Sequence, residues 1–321
     1  MKRKAAYLQI IRKCNNECVF CSNPQFEKEI GLKEAIAEIE KLKKEGVNEI
    51  FLTGGEPTIS KDLFQIIQFL KRSKIEPRLI TNGVELSSLS MVKKLRQEGL
   101  RSIYVSLHAH DEAIADKLAQ RKGHFKQAIM GIKNVLGLDI QVNINCTINA
   151  MNYGSLPDFV SFINTVFPAI EHFVFNFLDP GRADGNLQSR AHENPGIVVD
   201  YAKIQEPLKD MVDILKRHKK TFRIERVPLC AMQGFEEYST ETRKIVKDEL
   251  YICSFIEEKD NNKIRKINPC QLRVKPNLCT NCSLKQICAG VQKEYLDIHG
   301  EAGLKPSDKD PQQIIEKISI N

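Results

Sequence analysis

Two alternating patterns of apolar residues run through the first two thirds of the chain. Short β-branched and apolar runs at 7–11, 49–52, 77–81, 102–107, 141–148 and 172–178 have the length and composition of strands. Between them, 32–45, 61–73, 89–98, 126–136 and 156–167 carry apolar residues at three- and four-residue intervals, as helices with one buried face do. Turn residues such as Gly46-Val47-Asn48 and Asn82-Gly83 separate the units. Strand followed by helix, repeated along the chain, predicts an α/β fold: a parallel sheet with right-handed crossovers and covering helices, curled into an open or partial β/α barrel. Another amphipathic stretch, 200–220, precedes one more strand at 221–226, after which the pattern turns irregular and Cys-rich. The expected division is therefore a core, 1–220, and a C-terminal extension, 221–321. In such a core functional groups gather at the carboxyl ends of the strands, where the loops converge.

Composition narrows the setting. The 321 residues hold ample apolar content for this core, so stability does not depend on staples. The basic amino terminus has its apolar run interrupted by Gln9 and too short for an export signal. No segment approaches about 18 uninterrupted apolar residues, so no membrane partner is expected. Ten cysteines without an export signal point to thiol chemistry in a reducing, cytoplasmic setting rather than to a disulfide framework. The formal charge of +7 leaves nucleic acid open as a partner without arguing for it, because Lys and Glu are mixed along most helical stretches.

The first chemistry lies directly after the first strand. Cys14-Asn15-Asn16-Glu17-Cys18-Val19-Phe20-Cys21 puts three thiolates within eight residues, and thiolates hold iron-sulfur clusters or zinc. Three ligands on a four-iron cluster leave one iron open to a small molecule; zinc would need a distant fourth ligand. Thr53-Gly54-Gly55-Glu56-Pro57-Thr58 follows the second strand, where a glycine pair allows close backbone approach and Glu56 offers an acceptor. Thr81-Asn82-Gly83 ends the third strand, and Ser106-Leu107-His108-Ala109-His110 ends the fourth.

The CxxxCxxC spacing with Phe20 before the last cysteine, together with the Gly-Gly-Glu-Pro turn, resembles the radical S-adenosylmethionine (SAM) superfamily over about residues 5–180. The resemblance implies a partial (β/α)6 TIM-like barrel and an enzyme whose 4Fe-4S cluster, on Cys14, Cys18 and Cys21, cleaves SAM reductively. The 5'-deoxyadenosyl radical so formed would abstract hydrogen from a substrate. It also implies cofactor contacts at Gly54, Gly55, Glu56, Pro57, Thr81, Asn82 and Ser106. Arg121, before Gly123-His124-Phe125, would meet the SAM carboxylate. Asn145 and Asn149 would meet its ribose or carboxylate, and Cys146 between them reads as a small buried residue. An electron donor such as flavodoxin or ferredoxin is the implied partner.

Near the carboxyl terminus, Cys279, Cys282 and Cys288 have the CxxCxxxxxC spacing of a metal loop. It resembles the auxiliary-cluster segment of the SPASM and twitch extensions, except that Gln292 stands where the longer pattern has another cysteine. One auxiliary 4Fe-4S cluster is implied. Its fourth ligand is open among Cys230, Cys253 and Cys270, with Cys230 preferred because it follows the last strand at once; structural zinc is the alternative. A SPASM-like tail implies a peptide or protein substrate. A small-molecule substrate in cofactor or nucleotide-derivative synthesis is the alternative, and Arg182, Arg190, Arg223 and Arg226 would serve a phosphorylated one if they converged. A noncatalytic zinc-binding protein is the reading from outside enzymology.

Overall fold

The chain is seen in a computed structural model that describes residues 4–22, 26–181, 189–256, 263–271 and 273–320. Strand-helix units follow one another as expected: β1 (Ala5–Ile11), α1 (Leu32–Lys44), β2 (Glu49–Gly54), α2 (Leu63–Arg72), β3 (Glu76–Thr81), α3 (Leu89–Glu98) and β4 (Ser102–Ser106). The chain then runs through α4 (Glu112–Ala119), α5 (His124–Leu136), β5 (Gln141–Ile148), α6 (Leu156–Val166), β6 (His172–Phe177), α7 (Arg190–Glu193), α8 (Tyr201–Arg217) and β7 (Thr221–Glu225). Beyond lie α9 (Thr240–Val246), β8 (Tyr251–Phe255), β9 (Lys263–Ile267), α10 (Lys293–His299) and α11 (Pro311–Ile320). The sequence pattern missed α4, which is short; Asp111 starts it by accepting the Ile114 N–H on its carboxylate.

One sheet holds all nine strands in the order β7-β6-β5-β4-β3-β2-β1-β8-β9. Every neighbouring pair is parallel except β8–β9. The segment expected to be irregular thus contributes two strands, β8 and β9, to this sheet, and the expected boundary at residue 220 falls immediately before the predicted strand β7. Alternation sorts the side chains. On β6, Phe173, Phe175 and Phe177 are fully buried in the main core, while His172, Val174 and Asn176 on the other face are half-buried. That second face is concave. β7 and β1 stand six places apart, about 29 Å in a flat sheet, yet Glu225 on β7 helps burial raise the Tyr7 phenol pKa on β1. The sheet has curled into a partial TIM-like barrel.

Two layers fill the lower interior. Arg78 bonds to Glu49 and donates to Ser102 Oγ at 2.9 Å, which also receives Asn143 Nδ2 at 3.0 Å. Beside them runs an aromatic belt, Tyr7–Phe51–Tyr104–His172, with ring centroids 5.0, 5.3 and 6.2 Å apart. The end near the strand carboxyl termini carries polar Thr53, Ser106, Asn145 and Asn176 instead.

Candidate active site

At the end of β1 the chain turns into the first cysteine loop, and β2 is held hard against that turn. Gly55 donates its N–H to Ile11 O at 2.7 Å and Glu56 donates to Lys13 O at 2.9 Å. A Cβ on Gly54 would stand 1.9 Å from Ile11 O, and one on Gly55 would stand 2.2 Å from Lys13 O. The glycine pair therefore serves contact between two backbones at the root of the loop, whereas its sequence suggested close approach to a ligand. Gly55→Ala is expected to cost about 1–3 kcal/mol through this overlap, read as a lower urea midpoint with the slope unchanged.

The loop itself is tied on several sides. Asn15 Oδ1 accepts from Asn82 Nδ2 at 2.6 Å, Asn15 Nδ2 donates to Glu85 Oε1 at 3.2 Å, and Asn16 Nδ2 pairs with His124 Nδ1 at 3.2 Å. Glu17 and Val19 donate N–H groups to Ala119 O and Leu118 O at the end of α4. The three thiols are close enough for Cys21 and Cys14 to add to the burial that raises the Cys18 pKa, with Arg190 opposing. Burial pushes Cys14 up to about 11, although the Asn16 N–H and Asn82 Nδ2 point at its sulfur. Thiols so raised are protonated at neutral pH, so loading Cys14 and Cys18 with metal releases protons.

Glu56 is 1% exposed, and its carboxylate knits the second and third strand ends together. Oε1 accepts from Thr58 N, Thr58 Oγ1 and Thr81 Oγ1 at 3.0, 2.6 and 2.7 Å, and Oε2 accepts from Asn82 N at 2.7 Å. Pro57 opens the short helical turn that follows. Burial still raises the Glu56 pKa against these four bonds. The chain's own donors take most of the carboxylate's capacity, leaving lone-pair room at Oε2 alone.

Other candidates divide. Ser106 is half-buried at the carboxyl end of β4, opposite Asn145. Arg121 Nη1 donates to Asn15 O at 3.0 Å, and Nε and Nη2 face Gln127 Oε1 at 3.4 Å, so this guanidinium braces the cysteine loop. Asn149 departs from expectation: it is fully buried, its Nδ2 donates to Thr147 O and its Oδ1 accepts from Met151 N. Its amide bonds within its own turn, using one N–H and one lone pair. Asn145 instead accepts from Asn176 Nδ2 at 2.5 Å, and Cys146 is a buried small residue as read.

His108 is 8% exposed, edge-on to Phe20 at 4.8 Å, and its Nδ1 accepts the Thr147 N–H at 3.0 Å. That bond places the proton on Nε2. Burial drives the His108 pKa down to about 3, so the ring is neutral. The folded value lies below the unfolded one; an unfolded chain gains a proton below pH 6.5 that the folded chain refuses, and stability falls on acidification. His108→Gln is expected to remove about 1.4 kcal/mol per pH unit of that slope between roughly pH 3.5 and 6. Urea midpoints of both proteins across that range measure it; parallel curves would refute it.

The second cysteine group gathers at a pocket enclosing about 440 Å³ of atom-free space, partly open to solvent, lined by Cys230, Cys279, Cys282, Cys288 and lysines 275, 285 and 305. Cys253 pairs with Tyr7 inside the sheet and Cys270 donates its backbone N–H to Asn268 Oδ1; neither lines the pocket. Ser307 N–H points at Cys282 Sγ at 3.3 Å and Gly290 N–H at Cys288 Sγ at 3.4 Å. Burial pushes the Cys230 thiol up to about 11, with Cys288, Cys279 and Cys282 adding to it. Lysines 275 and 285 were invisible to motif reading; they fold onto carbonyls of the loop, Lys285 O and Thr280 O.

Among the described residues no three Cys, His, Asp or Glu side chains converge as a single ion requires. Tetrahedral zinc with bonds of about 2.3 Å draws its sulfurs to within about 4 Å of one another. The N–H groups aimed at Cys282 and Cys288 are of the kind that tune a thiolate-held iron-sulfur cluster.

A curled parallel sheet with a thiol loop and glycine-bearing turns at its strand carboxyl ends defines an α/β-barrel enzyme built around a thiolate-held cofactor. The Radical SAM superfamily model matches residues 8–163, just under half of the chain, and this region carries the superfamily's domain. Members of that superfamily are enzymes that use a 4Fe-4S cluster and SAM, and this chain carries a matching thiol loop. It is similar to Fe-coproporphyrin III synthase of Methanosarcina barkeri, 33% identical over 49% of this chain and 40% of that one. It is 28% identical to the PqqA peptide cyclase of Bradyrhizobium diazoefficiens over 49% of this chain and 42% of that one. The match thus spans less than half of each relative's length. In fold it resembles Streptococcus suis SuiB bound to the precursor peptide SuiA: TM-score 0.63, 15% identity, 95% of this chain and 75% of that one. No helix among the described residues is long and apolar enough to cross a membrane.

Proposed function

We propose that this enzyme modifies a peptide or protein by hydrogen abstraction, with one cluster on Cys14, Cys18 and Cys21 and a second on Cys230, Cys279, Cys282 and Cys288. On this reading residues 1–220 are the catalytic core and 221–321 a SPASM- or twitch-like extension. When bound, the first cluster and SAM supply a carbon-centred radical. The chain's part is to bind and orient. Gly54, Gly55, Glu56 and Pro57 fix the turn beside the loop, Thr81 and Asn82 lock against it, and Ser106 and Arg121 complete the rim. The aromatic belt closes the floor against water. Flavodoxin or ferredoxin would supply electrons, in the cytoplasm, where ten cysteines stay reduced.

The observation that carries the reading is Cys230, brought from the end of β7 into the pocket of the CxxCxxxxxC loop. A peptide-cyclising relative and a peptide-bound structure of like fold support the substrate class. The coproporphyrin relative keeps a small molecule as the second reading. A phosphorylated one is disfavoured: Arg190 lies by Cys18, and Arg226 among Asp179, Glu225 and Glu241. Arg182 lies outside the described residues.

Anaerobic reconstitution tests the second cluster. Wild type is expected to hold about eight iron and Cys230→Ala about four fewer, with Cys253→Ala and Cys270→Ala unchanged. Equal iron in wild type and Cys230→Ala overturns that ligand set. Candidate peptides incubated with SAM and reductant should change mass; abundant 5'-deoxyadenosine beside unchanged peptides would favour the small-molecule reading.

A further inference from the structure

His108 has one polar atom to spare at the mouth of the barrel. Leu107 still donates its N–H to Asn145 O at 3.1 Å, so the β4 geometry runs on past Ser106 and His108 lies about 7 Å beyond that serine. Its ring stands between the end of β5, where Thr147 N–H bonds Nδ1 at 3.0 Å, and the cysteine loop, where Phe20 meets it edge-on at 4.8 Å. The His108 carbonyl is held as well, by Asn152 Nδ2 at 2.7 Å. The ring is therefore fixed in place and in tautomer, with its proton on Nε2. Among the described residues nothing accepts that proton, yet Nε2 is not sealed from solvent as Asn16 Oδ1 and His110 Nδ1 are. The strand ends beside it carry half-buried Ser106, Asn145, Thr147 and Asn176, which leave the mouth polar and accessible.

A polar group more than nine-tenths buried is normally paired. One that is immobilised, unpaired and still reachable is a donor waiting for an acceptor, with its ordering cost already met. We propose that His108 Nε2–H grips the peptide substrate, donating to one backbone carbonyl oxygen where the peptide enters between the cysteine loop and the end of β5. This rests on the peptide reading above and names the group that holds that substrate. Ser106, which that reading gives to SAM, lies two residues deeper, leaving His108 to the molecule that arrives above the cofactor. An uncharged donor suits a carbonyl: stripping water from an anion for one such bond would cost far more.

The test uses the cluster-loaded full chain with isotope-labelled histidine, SAM, and N-acetylalanine N-methylamide as a minimal source of peptide carbonyls, followed by proton-nitrogen NMR. SAM alone is expected to leave the His108 Nε2 resonance in place, and the diamide to shift it saturably. Diamide affinity should fall about tenfold in His108→Phe, the loss of one hydrogen bond. It should return to within about threefold of wild type in His108→Gln, whose amide can accept from Thr147 and donate outward. Circular dichroism checks that His108→Phe is folded; if it is not, the wild-type resonance carries the test. A shift caused by SAM alone, no saturable shift with the diamide, equal affinity in wild type and His108→Phe, or a His108→Gln as weak as His108→Phe would each overturn the proposal, the first by giving the donor to the cofactor. Diamide bound with the expected loss, but no candidate peptide changed in mass, would sink the peptide reading and leave the carbonyl site standing. A peptide changed in mass without any shift at Nε2 would do the reverse.

Discussion

Cys18→Ala is expected to leave the first site without its cluster, about four iron and four sulfide short per chain, and to drop 5'-deoxyadenosine formation from SAM to background. Cys18 is the middle thiol of the loop, enclosed between Cys14 and Cys21. No nearby His, Asp or Glu among the described residues completes an ion site in its place. Fold should survive, because the loop is also fastened through Asn15, Asn16, Glu17 and Val19. Iron, sulfide and product are assayed together under strict exclusion of oxygen. A folded variant with full iron and undiminished product would show that the loop is not the cluster site.

Glu56→Ala carries the next largest effect. It leaves the buried N–H groups of Thr58 and Asn82 without acceptors and frees two threonine hydroxyls to turn elsewhere. At about 1–3 kcal/mol for each unmet buried group, partly offset by removing a costly buried charge, a net loss of about 3 kcal/mol is expected. The Asn82 turn would loosen and Asn15 with it, so SAM affinity should fall about a hundredfold. Glu56→Gln keeps the shape but sets an amide donor against a neighbouring N–H, and should fall between the two. Urea denaturation and equilibrium dialysis with SAM measure both effects. An alanine variant as stable as wild type would mean that the carboxylate does not join the turns.

The core fold was legible because its signals are local. Six strand runs alternate with helices of matching period, and each cysteine, glycine and turn motif lands at a strand end. Helix α4 escaped because eight residues give little periodicity, and β8 and β9 because Tyr251–Phe255 and Lys263–Ile267 pair with residues far away in sequence. The site was legible in composition but not in geometry. Glu56 could be named as an acceptor, yet nothing local says that Thr81 and Asn82 would occupy it. Asn149 has the residue type of a ligand contact, and only its burial within a turn reveals a structural task. Cys230 was one choice among three, and of these it alone lines the pocket of the cysteine loop among the described residues. Asn15 and Asn16 drew no notice, although their amides fasten the loop to Asn82, Glu85 and His124.

The aromatic belt from Tyr7 to His172 has a consequence for traffic. These rings fill the bottom of the barrel, so substrate, dioxygen and stray hydrogen donors alike are turned toward the strand carboxyl ends and the open side of the curl.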